Sequence, residues 1–267
     1  MIEVREDWYP NGQLHVRRSF NNGKIDGLFE RWYTNGQLSE RSNWKDGKKE
    51  GLVETWYEDG KPEFRVNFKN DKRDGLWEEW YDNGQLGDRC NWKDGKKDGL
   101  YEEWYENGQL RERSNWKDGK KEGLWEEWYE TGQIIKSLNF KNDIQTGLCK
   151  VWYPNGQLLV SANFKKGVKD GLCEGWYENG NLHVRYNYKI GRNDGLNEEW
   201  YKNGKLMVRY NCDYGELEGL YEEWYDNGQL MVRCNYKDNK KDGLYESWDK
   251  LGQVCKHIVF KDGKLVS

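Results

Sequence analysis

Residues Gly75 to Asp98 read GLWEEWYDNGQLGDRCNWKDGKKD, and this 24-residue phrase recurs with variations along the whole chain. Two runs rich in Trp, Tyr, Val and Leu are separated by Asn83-Gly84 and closed by Asp94-Gly95. Runs of strand-forming residues punctuated by Asn-Gly and Asp-Gly are the mark of successive hairpins. Working outward, the pairs Trp8-Tyr9, Trp32-Tyr33, Trp56-Tyr57, Trp80-Tyr81, Trp104-Tyr105, Trp128-Tyr129, Trp152-Tyr153, Trp176-Tyr177, Trp200-Tyr201 and Trp224-Tyr225 fall at the same interval, ending at Trp248-Asp249. No insertion breaks the spacing, so residues 1–267 are expected to form a single array of eleven hairpin repeats centred on these tryptophans. The expected fold is all-β, an elongated, single-layer, twisted antiparallel sheet of about 22 strands.

Positions are counted from the glycine that opens each copy, so Gly75 is position 1 and Asp98 position 24. Pro10 and Pro154 precede Asn-Gly where a type I turn favours proline, and Gly12 and Gly156 then fall at a left-handed bulge position. A three-residue loop is therefore expected. The second turn ends only in Gly, Asn or Asp, from Gly23 to Gly263, which is what a left-handed backbone site demands.

The loop fixes the register, and alternation along each strand sorts the side chains. One face then carries Leu76, Trp80, Leu86 and Trp92, with Phe64, Val66, Leu138, Val160, Val208 and Phe260 as equivalents elsewhere, and it is expected to be buried. The other carries the aromatic of position 3, Glu79 and its kin at position 5, Tyr81, the arginines of position 15 and the asparagines of position 17. Rows of Arg17, Arg41, Arg65, Arg89 and Arg113 beside Glu and aromatic rings suggest cross-strand contacts, each contributing about 0.2–1 kcal/mol. Carboxylates repeated in near-identical settings lack the contrasting environments of an acid/base pair.

Composition narrows the function classes. Basic and acidic residues number 43 and 47 and are interspersed, for a net charge of −4, so no basic stripe for nucleic acid is expected. No apolar run approaches the roughly 18 residues that cross a bilayer, and Met1 to Pro10 lacks an apolar signal core. A cytoplasmic protein is expected, or a secreted or cell-surface one if a signal peptide has been removed.

The pattern G-L-x-x-x-W-Y-x-N-G-Q-L followed by N-x-K-D-G-K, seen from Gly99 to Leu110 and from Asn115 to Lys120, resembles the MORN variant repeat of bacteria. The resemblance covers essentially the full chain. It implies a scaffold for protein or membrane-lipid contacts without catalytic residues, and bacterial relatives of the YwqK type carry an antitoxin label.

Other chemistry is sparse. Cys149 and Cys173 share position 3 two strands apart, about 9–10 Å, beyond disulfide reach. Cys90 and Cys234 occupy position 16, Cys212 replaces the aromatic of position 18 and Cys255 stands alone, so no paired metal-ligand motif exists and free thiols are expected. His15, His183 and His257 approach neither a cysteine nor one another in the pattern. No cofactor, metal or catalytic residue is expected, and the chain is read as not an enzyme.

The informative residues are departures from the repeat. Between Ile134 and Tyr177, position 15 becomes Ser137 and Ser161, position 3 becomes Cys149 and Cys173, and position 5 becomes Val151 and Gly175. Position 13 becomes Ile135 and Leu159. On the face read as exposed, these would form an apolar notch bordered by Tyr153 and Tyr177, and contiguous exposed apolar surface marks an interface. A bend in the sheet and neutral drift remain alternatives. The leading expectation is a scaffold that binds a protein partner, with an antitoxin or immunity role implied by the resemblance. The alternative is a glycan or lipid-headgroup surface built on exposed aromatic rows.

Overall fold

The computed structural model describes residues 2–266, and among these every regular element is a β-strand. The chain divides between Gln133 and Ile134 into two compact units. The first holds eleven strands, from Ile2–Trp8 to Lys120–Trp128, and the second thirteen, from Ile134–Lys141 to Lys264–Leu265. Within each unit consecutive strands pair antiparallel. Lys72–Trp80 pairs with Leu86–Lys93, which pairs in turn with Lys96–Trp104. Two features raise the second unit above the expected count. One strand is interrupted at Asp194 into Arg192–Asn193 and Gly195–Trp200, and a short strand is added at Lys264–Leu265.

Both turns follow from their residues. At the first, the Gly84 N–H donates to the Tyr81 carbonyl at 2.8 Å and the Tyr81 N–H to the Gln85 carbonyl at 2.9 Å, which closes the expected three-residue loop. Gly84 sits at φ +87°, where a Cβ would be strained. At the second, Lys93 pairs with Lys96, and Asp94 and Gly95 adopt φ of +50° and +81°. Two consecutive left-handed residues make a type I′ turn, one more than sequence alone indicated. The turns are also tied to the neighbouring repeats, the first turn to the following one and the second to the preceding one. The Tyr81 hydroxyl donates to the Trp104 carbonyl at 2.8 Å, and Asn83 Nδ2 to the Glu106 carbonyl at 3.0 Å. The Asp94 N–H donates to Asp74 at 3.2 Å.

The face assignment needs correction. Glu79 pairs with Asp88 but Trp80 pairs with Leu86, so Gly87 is an extra residue that shifts the register by one. Beyond such a bulge, every side chain of one strand changes face relative to its partner. The pairs are therefore Trp77 with Cys90 and Leu76 with Asn91. The buried rows are positions 3 and 16, exemplified by Val53 at 0% and Val66 at 2% exposed, whereas Leu76 is 36% exposed. Of the second-strand residues of the expected buried face, Val66 and Val208 are buried, whereas Phe64, Leu86, Trp92, Leu138, Val160 and Phe260 are half-buried. The first-strand residues expected beside Val66 and Val208 lie on the other face.

A second bulge joins neighbouring hairpins. Cys90 pairs with Tyr101 and Trp92 with Lys97, leaving Asp98, Gly99 and Leu100 opposite the single residue Asn91. Gly99 accommodates this at φ +109°. The asparagine of position 17 caps the same distortion, as where Asn187 Nδ2 donates to the Leu196 carbonyl at 2.7 Å.

Packing along the buried rows alternates large with small. Phe29 faces Ser42, Trp77 faces Cys90, and Tyr101 faces Ser114, while Cys173 faces Tyr186 and Asn197 faces Tyr210 with the sizes exchanged. A ring covers its small partner, and the buried Ser42 and Ser114 hydroxyls accept from Trp44 and Trp116 at 3.0 and 2.9 Å.

Candidate functional site

The two faces carry different chemistry. On the face of positions 2, 4, 6 and 15, Arg89 Nε donates to Glu78 at 3.1 Å, and Arg65 Nη1 approaches the same carboxylate at 4.0 Å. The Arg65 guanidinium also lies 5.9 Å from the Trp80 ring centre. An Arg–Glu and Arg–aromatic ladder is thus present, but its carboxylates are those of position 4 and its rings those of position 6, not the position 5 glutamates and position 3 aromatics expected beside the arginines. It is structural, since the buried Glu30, Glu78 and Glu222 are each approached by two arginines.

Ser137 and Ser161 interrupt this ladder in the second unit, where both pair with Lys150. Lys150 stands at position 4, where flanking repeats have glutamate. The loss of arginine is matched by loss of the carboxylate it would hold, which avoids an unpaired charge. These two serines therefore lie on the opposite face from the other candidate residues.

On the face of positions 3, 5, 14 and 16, adjacent strands bring one row of side chains together. In the first unit it runs Glu79, Asp88, Glu103, Glu112 and Glu127, each directly paired with the next. Burial, then the Asp88 carboxylate, pushes the Glu79 carboxyl up from 4.5, and burial is the leading cause that raises Glu103. The Tyr101 hydroxyl donates to Asp88 at 2.6 Å, and Arg111 donates to Glu103 at 2.7 Å. Burial and the bond to Asp88 raise the Tyr101 hydroxyl strongly.

In the second unit the same row becomes apolar. It passes from Lys136 through Val151, Val160, Gly175 and Val184 before glutamate returns at Glu199. Beside it run Cys149, Ala162 and Cys173, each paired with the next. Cys149 and Cys173 are 7% and 5% exposed, which corrects their placement on an open surface. The register shift at the bulge is again the cause. Ile135, Val151, Tyr153, Leu159 and Tyr177 are half-buried. Position 13 is where a side chain lies against the tyrosine of position 7, as His183 does on Tyr177 at 4.2 Å, and Leu159 is its equivalent beside Tyr153. The structure thus brings the valines and cysteines into one apolar floor and leaves the two serines out of it. Val160, Gly175 and Val184 belong to that floor, and only knowledge of the bulge would have found them.

Further along the same face, Glu199, Val208 and Glu223 are direct neighbours on three strands. They lie in a groove of about 410 Å³ with Tyr201, Met207, Tyr210, Tyr221 and Met231. The Tyr186 hydroxyl donates to Glu199 at 2.6 Å and the Tyr221 hydroxyl donates to Glu223. Burial, followed by these bonds, raises both tyrosines, so they remain donors.

The six cysteines are unpaired, five of them buried and Cys255 exposed. Burial holds the Cys90 thiol up at about 11. Among the described residues no cluster of His, Cys, Asp and Glu is arranged to hold a metal ion, and no helix is long and apolar enough to cross a membrane.

A sequence profile of the MORN repeat variant matches ten segments: residues 4–22, 25–46, 49–70, 73–94, 97–118, 121–142, 145–166, 169–189, 193–211 and 217–238. No curated protein matches. Among solved structures, "Crystal Structure of TcdB2-TccC3" aligns at 11% identity and a TM-score of 0.22, over 98% of this chain and 18% of that one. "Crystal Structure of TcdB2-TccC3-Cdc42" aligns at 11% identity and a TM-score of 0.21, over 98% and 17%. The chain spans less than a fifth of the length of those proteins.

Proposed function

Because the chain belongs to the MORN repeat variant family, we propose that it is a non-catalytic repeat scaffold that binds a protein partner through the apolar hairpins of its second unit. The observation that carries this reading is the contiguous floor of Val151, Val160 and Gly175, which replaces the carboxylates of the first unit. Leu159 and Ile135 stand at the rim with Tyr153 and Tyr177. Aromatic and aliphatic side chains around a small-residue floor suit the anchor residues of a partner better than a charged ladder does. Lys150, Ser137 and Ser161 belong to the opposite face and have a structural role in this reading. An antitoxin or immunity role is the form of this activity in which the bound partner is a toxin.

A photo-crosslinking side chain at Leu159 identifies the partner directly, and the Val151→Glu and Leu159→Arg variants then test the floor. The expected result is loss of the crosslinked partner with the melting temperature unchanged. Undiminished binding would overturn the reading. A fall of many degrees in both variants would instead make these residues part of the sheet's own packing.

A further inference from the structure

The groove around Val208 has features that the protein-binding reading does not use. Its floor is a buried valine with one carboxylate on each side, Glu199 and Glu223, two strands apart and so about 9–10 Å between backbones. Among the described residues neither carboxylate forms an ion pair with a lysine or arginine; each has a tyrosine hydroxyl instead. The arginine of this repeat, Arg209, is committed to Glu222 on the other face at 2.5 Å. The remaining wall is soft and polarisable, supplied by Met207, Met231 and Tyr201.

Negative charge on two sides of an apolar, aromatic-walled groove complements a cation that is itself apolar on the outside. The geometry points to this groove as a binding site for a quaternary ammonium group, with the methyl groups against Val208 and the methionines and the charge between Glu199 and Glu223. Aromatic rings attract such cations through their π faces. A hard metal ion does not fit, because its oxygen ligands must converge to about 2.0–2.6 Å and Val208 separates the carboxylates. A primary ammonium is a weaker match, since it is strongly hydrated and carries three donors that thioether walls cannot satisfy. The same carboxylates disfavour a ligand carrying a phosphate beside its ammonium.

Calorimetric titration of the full chain with tetramethylammonium, choline and a trimethyllysine peptide tests the assignment, with sodium at equal ionic strength and phosphocholine as contrasts. Saturable binding at one site is expected for all three probes, with no saturable heat from sodium and weaker binding of phosphocholine. Tighter choline binding assigns a small metabolite as the source, and a tighter peptide assigns a modified protein side chain. Glu199→Gln and Glu223→Gln should each weaken binding about tenfold. Met207→Lys places the chain's own cation in the groove and should abolish binding while leaving the circular dichroism melt in place, which covers the case in which a glutamine variant fails to fold. Absence of saturable binding by the wild-type chain, or binding unchanged in a folded Met207→Lys variant, overturns the proposal.

Discussion

At the residue scale, the repeat places like charges side by side in the first unit and tolerates them. Glu79 lies directly opposite Asp88, and cross-strand carboxylates repel. Because burial and Asp88 raise the Glu79 carboxyl in the fold, the folded state takes up a proton before the unfolded state does. Its contribution to stability therefore grows as pH falls through the raised value and is lost as pH rises. The acidic row should make the melting temperature higher at pH 5 than at pH 7, and Glu79→Gln should stabilise by about 0.3 kcal/mol at pH 7 with the gain gone at pH 4. A Glu79→Gln gain that persisted at low pH would show that repulsion is not its origin. Thiol reactivity is a second readout at this scale. Cys255 is exposed and should label with maleimide in the native protein, whereas Cys90, buried with its thiol held up at about 11, should label only after unfolding. Mass spectrometry of the partly labelled chain distinguishes one modified site from several.

At the scale of the element, each hairpin depends on a few left-handed residues, and three consecutive second turns violate the usual choice. Lys166, Ile190 and Tyr214 occupy the place held elsewhere by Asn or Asp, at φ of +52°, +50° and +48°. Ile190 is the strained case, a β-branched residue in the left-handed region with its side chain 70% exposed. Since no packing depends on so exposed a side chain, Ile190→Asn should raise stability by about 1 kcal/mol, read as a higher denaturant midpoint with unchanged slope. Gly99, at the bulge between hairpins of the first unit, makes the opposite demand. At φ +109° it is a position where Gly99→Val should destabilise, and a neutral outcome in the same denaturation measurement would mean the bulge relaxes.

At the scale of the molecule, strands within each unit lean on their sequence neighbours, so the cooperative unit is the repeat. Removing two whole repeats, Gly75 to Glu122, keeps every turn, bulge and row in phase, and the shortened chain should remain folded with an unchanged circular dichroism profile per residue. Removing half a repeat, Gly75 to Leu86, joins strands out of register and should give an unstable or insoluble product. Equal solubility of both deletions would show that the 24-residue period is not the structural unit.

The sequence by itself determined the period, the all-β class and the positions of both turns, because these depend on local residue choices, Asn83-Gly84 and Asp94-Gly95 at a fixed spacing. It also marked the Ile134 to Tyr177 stretch as different. Only the tertiary structure decided which residues share a face. A single bulged residue, Gly87 in the typical repeat, moves Leu76 outward and Trp77 inward, takes Ser137 and Ser161 away from Val151, and buries Cys149 and Cys173. Strand alternation has a period of two, so one extra residue reverses every assignment beyond it, and whether a strand bulges is set by its hydrogen bonding to a neighbour, not by its own residues.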